Sequence, residues 1–367
     1  MRQPDVLIIG GGVIGCAVAY YLTRQSSLRV LVLERGTLGS GASNAAAGVL
    51  AVASSRAPRG VLFELRRRSA AMFPDLAAAL RSESDIDPEY VQRGLLEIAF
   101  TAHELQQLHD LADRRRAQGF HVEVLDAAAA RQLEPTVSSH VIGGALFDDH
   151  TINNERLTRA FAVAAQRKGA ELRVGVAATG VETASQRILR VRGSDGAWVS
   201  PGVVVLAAGT WSPEFAALLR VRVPIRPARG EMLAVRPHAI PTHTLAWGDG
   251  YLVPRSNGEL FVGSTTEYAD TAIVTERAVE TLLGRAVRMM PAVADARIER
   301  TWAGLRPCPT IRRPIIGPVR GYDNFILAAG HHRNGILLAP ITGQLVAELI
   351  TEHATSVPLH PFGYRPR

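Results

Sequence analysis

The first 34 residues follow a pattern typical of a strand, a tight turn, a helix and a second strand. The short apolar run 5–10 predicts a buried strand. Ile14, Val18 and Tyr21 then recur at helical spacing, and a second apolar run follows at 29–34. This order predicts a βαβ unit with two parallel strands joined by a right-handed crossover.

The middle of the chain shows two further patterns. Strand-like pieces at 95–100 and 121–125 flank a helical pattern at 102–118, which indicates an inserted part of a second domain. After it come a helical pattern at 153–169 and an apolar run at 202–209. That run is apolar on both faces, as expected for the buried strand of a covered sheet.

The last third of the chain changes style once more. Residues 221–313 are rich in strand patterns, with a helix only around 275–290, which predicts a largely antiparallel sheet. The end returns to the first style, with a buried strand at 324–330 and a helix at 343–351. We therefore expect an α/β fold: a Rossmann-like domain interwoven with an α+β domain built on a mostly antiparallel sheet.

A glycine motif lies between the first strand and the first helix. Gly10, Gly12 and Gly15 fit the G-x-G-x-x-G spacing, which gives a tight turn and lets a pyrophosphate approach the start of the helix. Glu34 ends the second strand 19 residues after Gly15, where it is placed to hydrogen-bond a ribose hydroxyl. These residues predict a dinucleotide site, and they leave open whether NAD or FAD binds.

A loop of small residues follows the second strand. It runs from 36 to 48 and contains Ser43, three consecutive alanines and Gly48. A loop with so little side-chain bulk lets backbone groups lie close to a large flat ring.

Charge and cysteine content exclude several classes of function. The 41 basic and 34 acidic residues give a net charge of +7, and Lys168 is the only lysine. The arginine runs 66–68 and 114–116 fall in helical patterns and come without a nucleic-acid-binding motif, so we expect no nucleic-acid partner.

The two cysteines, Cys16 and Cys308, form no disulfide framework and no metal-ligand cluster, which favours a cytoplasmic protein without a metal. The uncharged run 6–22 is interrupted by three glycines, so no membrane segment is expected there.

Six motifs together resemble the glycine oxidases of the D-amino-acid oxidase family, the type found in thiamine biosynthesis. They occur in the order Ile8-Ile-Gly-Gly-Gly-Val-Ile-Gly15, Ser43-Asn-Ala-Ala-Ala-Gly-Val-Leu50, Val205-Leu-Ala-Ala-Gly-Thr-Trp-Ser212, Tyr251-Leu-Val-Pro-Arg255, Trp302-Ala-Gly-Leu-Arg-Pro307 and Gly330-His-His-Arg-Asn-Gly-Ile-Leu-Leu-Ala-Pro340. The match covers nearly the whole chain.

The resemblance implies an enzyme with non-covalently bound FAD. Such an enzyme oxidises the carbon–nitrogen bond of a small amine to an imine, which water hydrolyses to an oxoacid and ammonia, and oxygen is reduced to hydrogen peroxide. It also implies a homotetramer. In this interpretation residues 1–84, 148–220 and 315–367 form the FAD-binding domain, and residues 85–147 and 221–314 form the substrate-binding domain.

The resemblance also assigns roles to individual residues. Arg306 matches the arginine that binds the substrate carboxylate, Tyr251 its hydroxyl partner, and Arg333 a second active-site arginine beside the flavin. A guanidinium suits this role because it donates two parallel hydrogen bonds to a carboxylate. The expected FAD-binding residues are Gly10, Gly12, Val13, Ile14, Gly15, Glu34, Arg35, Ser43, Ala46, Ala47, Gly48, Val49, Ala208, Gly209, Trp211, His331, Arg333, Asn334, Gly335, Ile336 and Leu337.

Several alternatives stay open at this point. Asp249, Gly250 and Thr266 are expected to set the size of the pocket, so sarcosine, proline or a D-amino acid are alternative substrates, for an oxidase or a dehydrogenase. A non-catalytic FAD-binding subunit is a more remote alternative. Cys308 lies near the position where sarcosine oxidases attach flavin covalently, although its spacing to the next motif is shorter than theirs. We give neither His331 nor His332 a role in proton transfer.

Overall fold

The computed structural model describes residues 3–365. Helices and strands are distributed throughout this range. The helices are α1 Val13–Gln25, α2 Val61–Ala71, α3 Phe73–Ser84, α4 Ala102–Arg116, α5 Ala127–Leu133, α6 Asn154–Arg167, α7 Ser212–Leu218, α8 Glu276–Met289 and α9 Gly335–Thr351. Short 3-10 helices lie at Gly209–Trp211, Pro291–Val293 and His332–Asn334.

The strands within residues 3–365 form four sheets. The strands are β1 Val6–Ile9, β2 Val30–Glu34, β3 Val49–Leu50, β4 Leu95–Ala99, β5 Val122–Asp126, β6 Gly143–Phe147, β7 His150–Thr151, β8 Glu171–Val174, β9 Ala178–Ala184, β10 Arg187–Gly193, β11 Trp198–Val199, β12 Val203–Leu206, β13 Ile225–Arg236, β14 Thr244–Trp247, β15 Gly250–Pro254, β16 Leu260–Gly263, β17 Glu267–Tyr268, β18 Arg297–Pro309, β19 Ile315–Pro318 and β20 Phe325–Ala329.

A six-stranded sheet carries the predicted βαβ unit. Its order is β19-β20-β12-β1-β2-β8, and every neighbouring pair is parallel except β19 with β20. Helix α1 packs between α6 and α9 on this sheet, in a core that includes Tyr20 and Phe161. The four strands β1, β2, β12 and β20 are almost wholly buried, because helices cover one face of the sheet and the strands β10 and β11 together with α7 cover the other.

A nine-stranded sheet forms the second layer. Its order is β17-β13-β16-β15-β14-β4-β6-β5, with β18 also paired to β13. All of its pairs are antiparallel except β14 with β4. Its strands lie within residues 85–147 and 221–314, and those of the six-stranded sheet lie outside these segments. The predicted fold class, a Rossmann-like part interwoven with a mostly antiparallel sheet, is confirmed.

Helices α2 and α3 meet at Met72. The structure differs from the predicted elements in two places. The last helix begins at Gly335 rather than 343 and continues through Pro340. The strands of residues 178–199 pair with one another as a separate three-stranded sheet, which the sequence pattern did not indicate.

The last helix is the most apolar helix of the fold. By length and composition, the segment His332–Thr351 is apolar enough to cross a membrane. In the structure 67% of this apolar window is buried inside the protein, where it packs against α1 and α2. The segment is therefore accounted for as a core helix.

Candidate active site

The glycine motif forms a turn that only small residues allow. Gly10 has a φ of +112°, and a Cβ atom there would lie 2.6 Å from the carbonyl oxygen of Ala207 on the neighbouring strand. A Cβ on Gly15 would lie 1.9 Å from the carbonyl oxygen of Gly10. The turn therefore brings bare backbone to the start of α1, where helix amide groups favour an anion such as a pyrophosphate.

Two side chains from later segments hold this turn in place. The Glu34 carboxylate accepts hydrogen bonds from the amides of Gly11, at 2.7 Å, and Gly36, at 2.8 Å. The Ser43 hydroxyl accepts one from the amide of Val13, at 2.9 Å. Glu34 thus lies at the end of β2 beside the turn, where the sequence predicted a ribose-binding carboxylate.

A cation–aromatic pair joins the residue after β2 to the segment after β12. The guanidinium carbon of Arg35 lies 3.7 Å from the centre of the Trp211 ring. Trp211 belongs to the short helix after β12, which also contains Gly209, and Ala208 directly precedes that helix. Val176 and Ala177 line this region as well. These two residues were not predicted from the sequence, because a β-branched residue and an alanine after a strand give no chemical signal.

The loop of small residues is fixed by contacts with residues 152–154 and with β18. A Cβ on Gly48, at φ +76°, would lie 1.9 Å from the carbonyl oxygen of Ile152. The indole nitrogen of Trp302 donates to the carbonyl of Ala45 at 3.1 Å. The side chain of Asn154 donates to the carbonyl of Ser43 at 2.6 Å. The loop is therefore held rigidly against the nine-stranded sheet rather than exposed as a flexible surface segment.

A single cavity of about 1140 Å³ joins the turn, the loop and the nine-stranded sheet. This exceeds the ~300–1,000 Å³ of a usual small-molecule pocket, so it has room for a dinucleotide and a small substrate together. Every residue that the sequence assigned to the FAD site, except Gly15, lines it, and so do Tyr251, Arg306 and Arg333. Gly15 packs beneath the turn, where its missing side chain lets the helix approach β1.

One face of the nine-stranded sheet forms the far wall of the cavity. Arg306 of β18 crosses over Gly230 of β13, where a Cβ atom would lie 2.1 Å from the nearest guanidinium nitrogen. Tyr251 of β15 lies over Gly263 of β16, where a Cβ atom would lie 2.5 Å from the ring. Two glycines thus make room for the two side chains assigned to the substrate.

The Arg306 guanidinium is held by neutral groups. It donates to the carbonyl oxygen of Thr265 at 3.0 Å and to the hydroxyl of Ser264 at 2.9 Å. The hydroxyl of Thr266 lies 3.4 Å away, but Thr266 is exposed and does not line the cavity, contrary to the expectation that it helps set the size of the pocket. Burial lowers the pKa of Arg306 from its usual value, and the charge of Arg333 adds to the effect. Within residues 3–365 no carboxylate forms an ion pair with Arg306.

Arg333 and the adjacent histidines line the cavity above that wall. Arg333 is half exposed and lies 4.0 Å from Asp249, itself largely exposed, so solvent screens this pair. Burial lowers the pKa of His331 to about 3, and its Nε2 lies 3.1 Å from the Thr342 hydroxyl. Burial and the charges of Arg306 and Arg333 lower the pKa of His332 to about 4. Both imidazoles are therefore neutral at pH 7.

The cavity is also lined by three charged residues that were not predicted from the sequence. Arg56 and Arg66 come from the segment after β3 and from α2, and Glu97 comes from β4. No local motif marks them, because the three residues are far apart in the sequence and meet only through folding. Cys308 lies in β18 with its sulfur 3.7 Å from the Tyr268 hydroxyl. Within residues 3–365 no group of three or more His, Cys, Asp or Glu side chains is arranged to hold a metal ion.

Comparisons with known proteins agree with this geometry. A model of the family described as FAD dependent oxidoreductase matches residues 5–349. The glycine oxidase of Geobacillus kaustophilus is 34% identical over 366 residues, which cover 98% of this chain and 96% of that protein. The bifunctional protein ThiO/ThiG of Synechocystis is 35% identical over 98% of this chain and 53% of its own length.

Solved structures show the same relationship. The crystal structure of glycine oxidase from Geobacillus kaustophilus superposes with a TM-score of 0.94 at 32% identity, covering all of both chains. Glycine oxidase from Bacillus cereus gives a TM-score of 0.93, with 99% of each chain covered.

These findings confirm three expectations from the sequence: FAD as the cofactor, an oxidoreductase activity, and oxidation of a small amine with oxygen as oxidant. Glycines of the turn and the loop leave backbone atoms uncovered at the cavity. This arrangement fits FAD, since side chains at these positions would fill the space that the cofactor needs next to the backbone. The alternatives on the same fold are not favoured. The chain belongs to the D-amino-acid oxidase family of FAD-dependent oxidoreductases.

Proposed function

We propose that this protein is a glycine oxidase in which Arg306 and Tyr251 bind the carboxylate of glycine or a similarly small amino acid. The observation that carries the proposal is the partly buried guanidinium of Arg306, which faces the cavity without a carboxylate partner within residues 3–365. A desolvated cation of this kind favours an anionic ligand, and a carboxylate accepts two parallel hydrogen bonds from it. Among the described residues 3–365, the Tyr251 hydroxyl contacts only a weak acceptor, the Met232 sulfur at 3.9 Å, and it can therefore donate to the same ligand.

The remaining residues would hold the cofactor and orient the substrate. Glu34 and the amides at the start of α1 would hold the ribose and pyrophosphate, and Ala46–Val49 would lie along the ring. FAD, when bound, would supply the two-electron chemistry that oxidises the carbon–nitrogen bond, with oxygen as the final acceptor. The neutral imidazoles of His331 and His332 add no positive charge to the pocket. Arg306 and Arg333 give it a positive potential, which favours the unprotonated form of the substrate amine.

The relatives and the composition of the chain support a proposal about the setting of the enzyme. We infer that it works in the cytoplasm, since Cys16 and Cys308 are both free thiols. The similarity to ThiO/ThiG proteins supports a role in thiamine biosynthesis. We further propose non-covalent FAD, a homotetramer, no membrane or nucleic-acid partner, and the division into FAD-binding and substrate-binding segments given above.

The test is the variant Arg306→Met. It removes the charge and keeps much of the side-chain volume. Because hydrogen bonds to charged groups contribute about 1.5–3 kcal/mol each, kcat/KM for glycine should fall at least ~100-fold, with FAD still bound. Oxygen uptake measures the activity and flavin absorbance measures the bound cofactor. Arg297→Met is the matched control, since Arg297 lies in the same strand with its side chain 78% exposed. Wild-type kcat/KM in Arg306→Met would refute the assigned role.

A further inference from the structure

The cavity has a second charged end, on the same face of the sheet as Tyr251. Tyr251 lies directly opposite Ala246 on the neighbouring strand, and Ala246 lies directly opposite Glu97 on the next strand. Directly paired residues point to the same face of a sheet. Neighbouring strands are about 4.8 Å apart, so the backbones of Glu97 and Tyr251 are about 10 Å apart. Glu97 also lines the cavity.

Glu97 anchors an arginine at this end. The Arg56 guanidinium donates to the Glu97 carboxylate at 2.5 Å. The Glu97 side chain is only 5% exposed, while that of Arg56 is 53% exposed. Only one guanidinium nitrogen makes this contact. Arg56 is therefore fixed at one nitrogen by a buried carboxylate and keeps its other donors available on the cavity side.

The segment that carries Arg56 is clamped at its backbone. The buried carboxylate of Asp149 accepts hydrogen bonds from the amides of Val52, Ala53 and Ser54, at 2.7–2.8 Å. Arg115 donates to the carbonyl oxygen of Ala53 at 3.0 Å. The segment is thus held from both sides, and it presents Arg56 to the cavity in a fixed position.

The charges around this segment do not balance. Arg56, Arg66 and Arg115 face two carboxylates, Glu97 and Asp149, with which they interact electrostatically. One positive charge is in excess. Arg66 is 6% exposed, and its Nε has no hydrogen-bond partner within residues 3–365. Buried charges are usually paired, so this excess favours an anion at this end of the cavity.

We propose that Arg56, anchored by Glu97, forms a second anion subsite that binds a distal carboxylate of the amine substrate. This rests on the proposed function, in which Arg306 binds the first carboxylate. The substrates that the subsite selects are amino acids whose nitrogen substituent or side chain ends in a carboxylate, such as N-carboxymethyl amines. Glycine itself reaches only Arg306 and Tyr251 and gains nothing from the subsite.

The test compares two ligands that cannot be oxidised, bound to the FAD-loaded enzyme and followed by the flavin absorbance. Diglycolate carries two carboxylates and methoxyacetate carries one, with the same ether oxygen in place of the amine. The wild type should bind diglycolate about tenfold or more tightly than methoxyacetate, as expected for one additional charged contact. Arg56→Met should abolish this preference and leave the affinity for methoxyacetate unchanged.

Two further variants make the result decisive. Arg59→Met is the matched control, because Arg59 lies on the same loop, is 73% exposed and pairs with Glu64. It should keep the wild-type preference. The double variant Arg56→Met with Glu97→Gln removes both charges, so no unpaired carboxylate is left to repel the ligand. It should also lack the preference, and a double variant that prefers diglycolate would overturn the proposal.

The outcomes separate the two proposals. If the wild type does not oxidise glycine, the proposed function fails, and if Arg306→Met leaves methoxyacetate affinity and glycine turnover unchanged, the role assigned to Arg306 fails. If the wild type binds both ligands equally, or Arg56→Met keeps the preference, the second subsite fails while the proposed function stands.

With oxidisable ligands, Arg56→Met should lower kcat/KM for iminodiacetate at least tenfold relative to that for sarcosine, as the loss of one charged contact predicts. An equal fall for both would contradict the subsite.

Discussion

The two ends of the cavity are built in different ways. At the cofactor end, bare backbone and glycines shape the site, and most of its residues come from a few short contiguous motifs. At the substrate end, single side chains from separate strands, among them Glu97, Tyr251 and Arg306, meet on one face of the nine-stranded sheet. The first end depends on local conformation and the second on the register of distant strands.

This difference has a consequence for how each end tolerates change. A Cβ atom on Gly10 or Gly15 at the cofactor end collides with a backbone carbonyl, which cannot move without disturbing the turn. At the substrate end the added atom meets a side chain, which can shift at some cost to ligand binding. Substitutions at the two ends should therefore separate loss of FAD from loss of substrate affinity.

The largest effect is expected for Gly15→Ala. Its Cβ would lie 1.9 Å from the carbonyl oxygen of Gly10, so α1 and the turn must move apart. The purified variant should contain almost no FAD, measured as the ratio of flavin to protein absorbance. Gly284→Ala is the control, since this exposed helical glycine has no atom within 4 Å of an added Cβ. It should keep its FAD and gain up to about 1 kcal/mol of stability from helix propensity. Full FAD content in Gly15→Ala would contradict the role given to this close approach.

A smaller and more selective effect is expected for Gly263→Ala. The added Cβ would lie 2.5 Å from the Tyr251 ring and 2.7 Å from its hydroxyl oxygen, so the ring must turn away from its present position. We expect full FAD content with KM for glycine raised about tenfold, the equivalent of one weakened hydrogen bond. Steady-state oxygen uptake measures KM. Loss of FAD without a change in KM would mean that the two ends are not separable.

The smallest effect is expected for Trp211→Leu at the cofactor end. The variant removes the ring over which Arg35 stacks at 3.7 Å and leaves the turn intact. Arg35 is exposed, and cation–π contacts at exposed sites contribute about 0.5–1 kcal/mol, so the dissociation constant for FAD should rise only about 2- to 5-fold. Titration of flavin-stripped protein with FAD measures it. A complete loss of binding would show that side chains, rather than backbone, dominate this end.

The cofactor end was largely predictable from the sequence, because its signals are local. The spacing of Gly10, Gly12 and Gly15 between a strand and a helix has a direct steric meaning, and Glu34 follows at the end of the next strand. The structure places all four in the predicted strand–turn–helix–strand unit. The roles assigned to individual residues stay predictions until the variants are measured.

The substrate end was predictable only in part. The resemblance to a known family indicated Arg306 and Tyr251, whereas nothing in the sequence indicated that Arg56 meets Glu97, 41 residues away. The glycines beneath Arg306 and Tyr251 were also missed. Strand register decides which residues share a face, and register depends on pairing between distant segments. Side-chain ion pairs between such segments leave no periodic signal in the chain.

The most direct test of the central claim is an anaerobic titration of the purified, FAD-loaded protein with glycine, followed by readmission of air. We predict that glycine bleaches the visible absorbance of the flavin, and that air restores it with formation of one hydrogen peroxide per flavin. A flavin that stays oxidised at saturating glycine, sarcosine and D-alanine would contradict amine oxidation at this site.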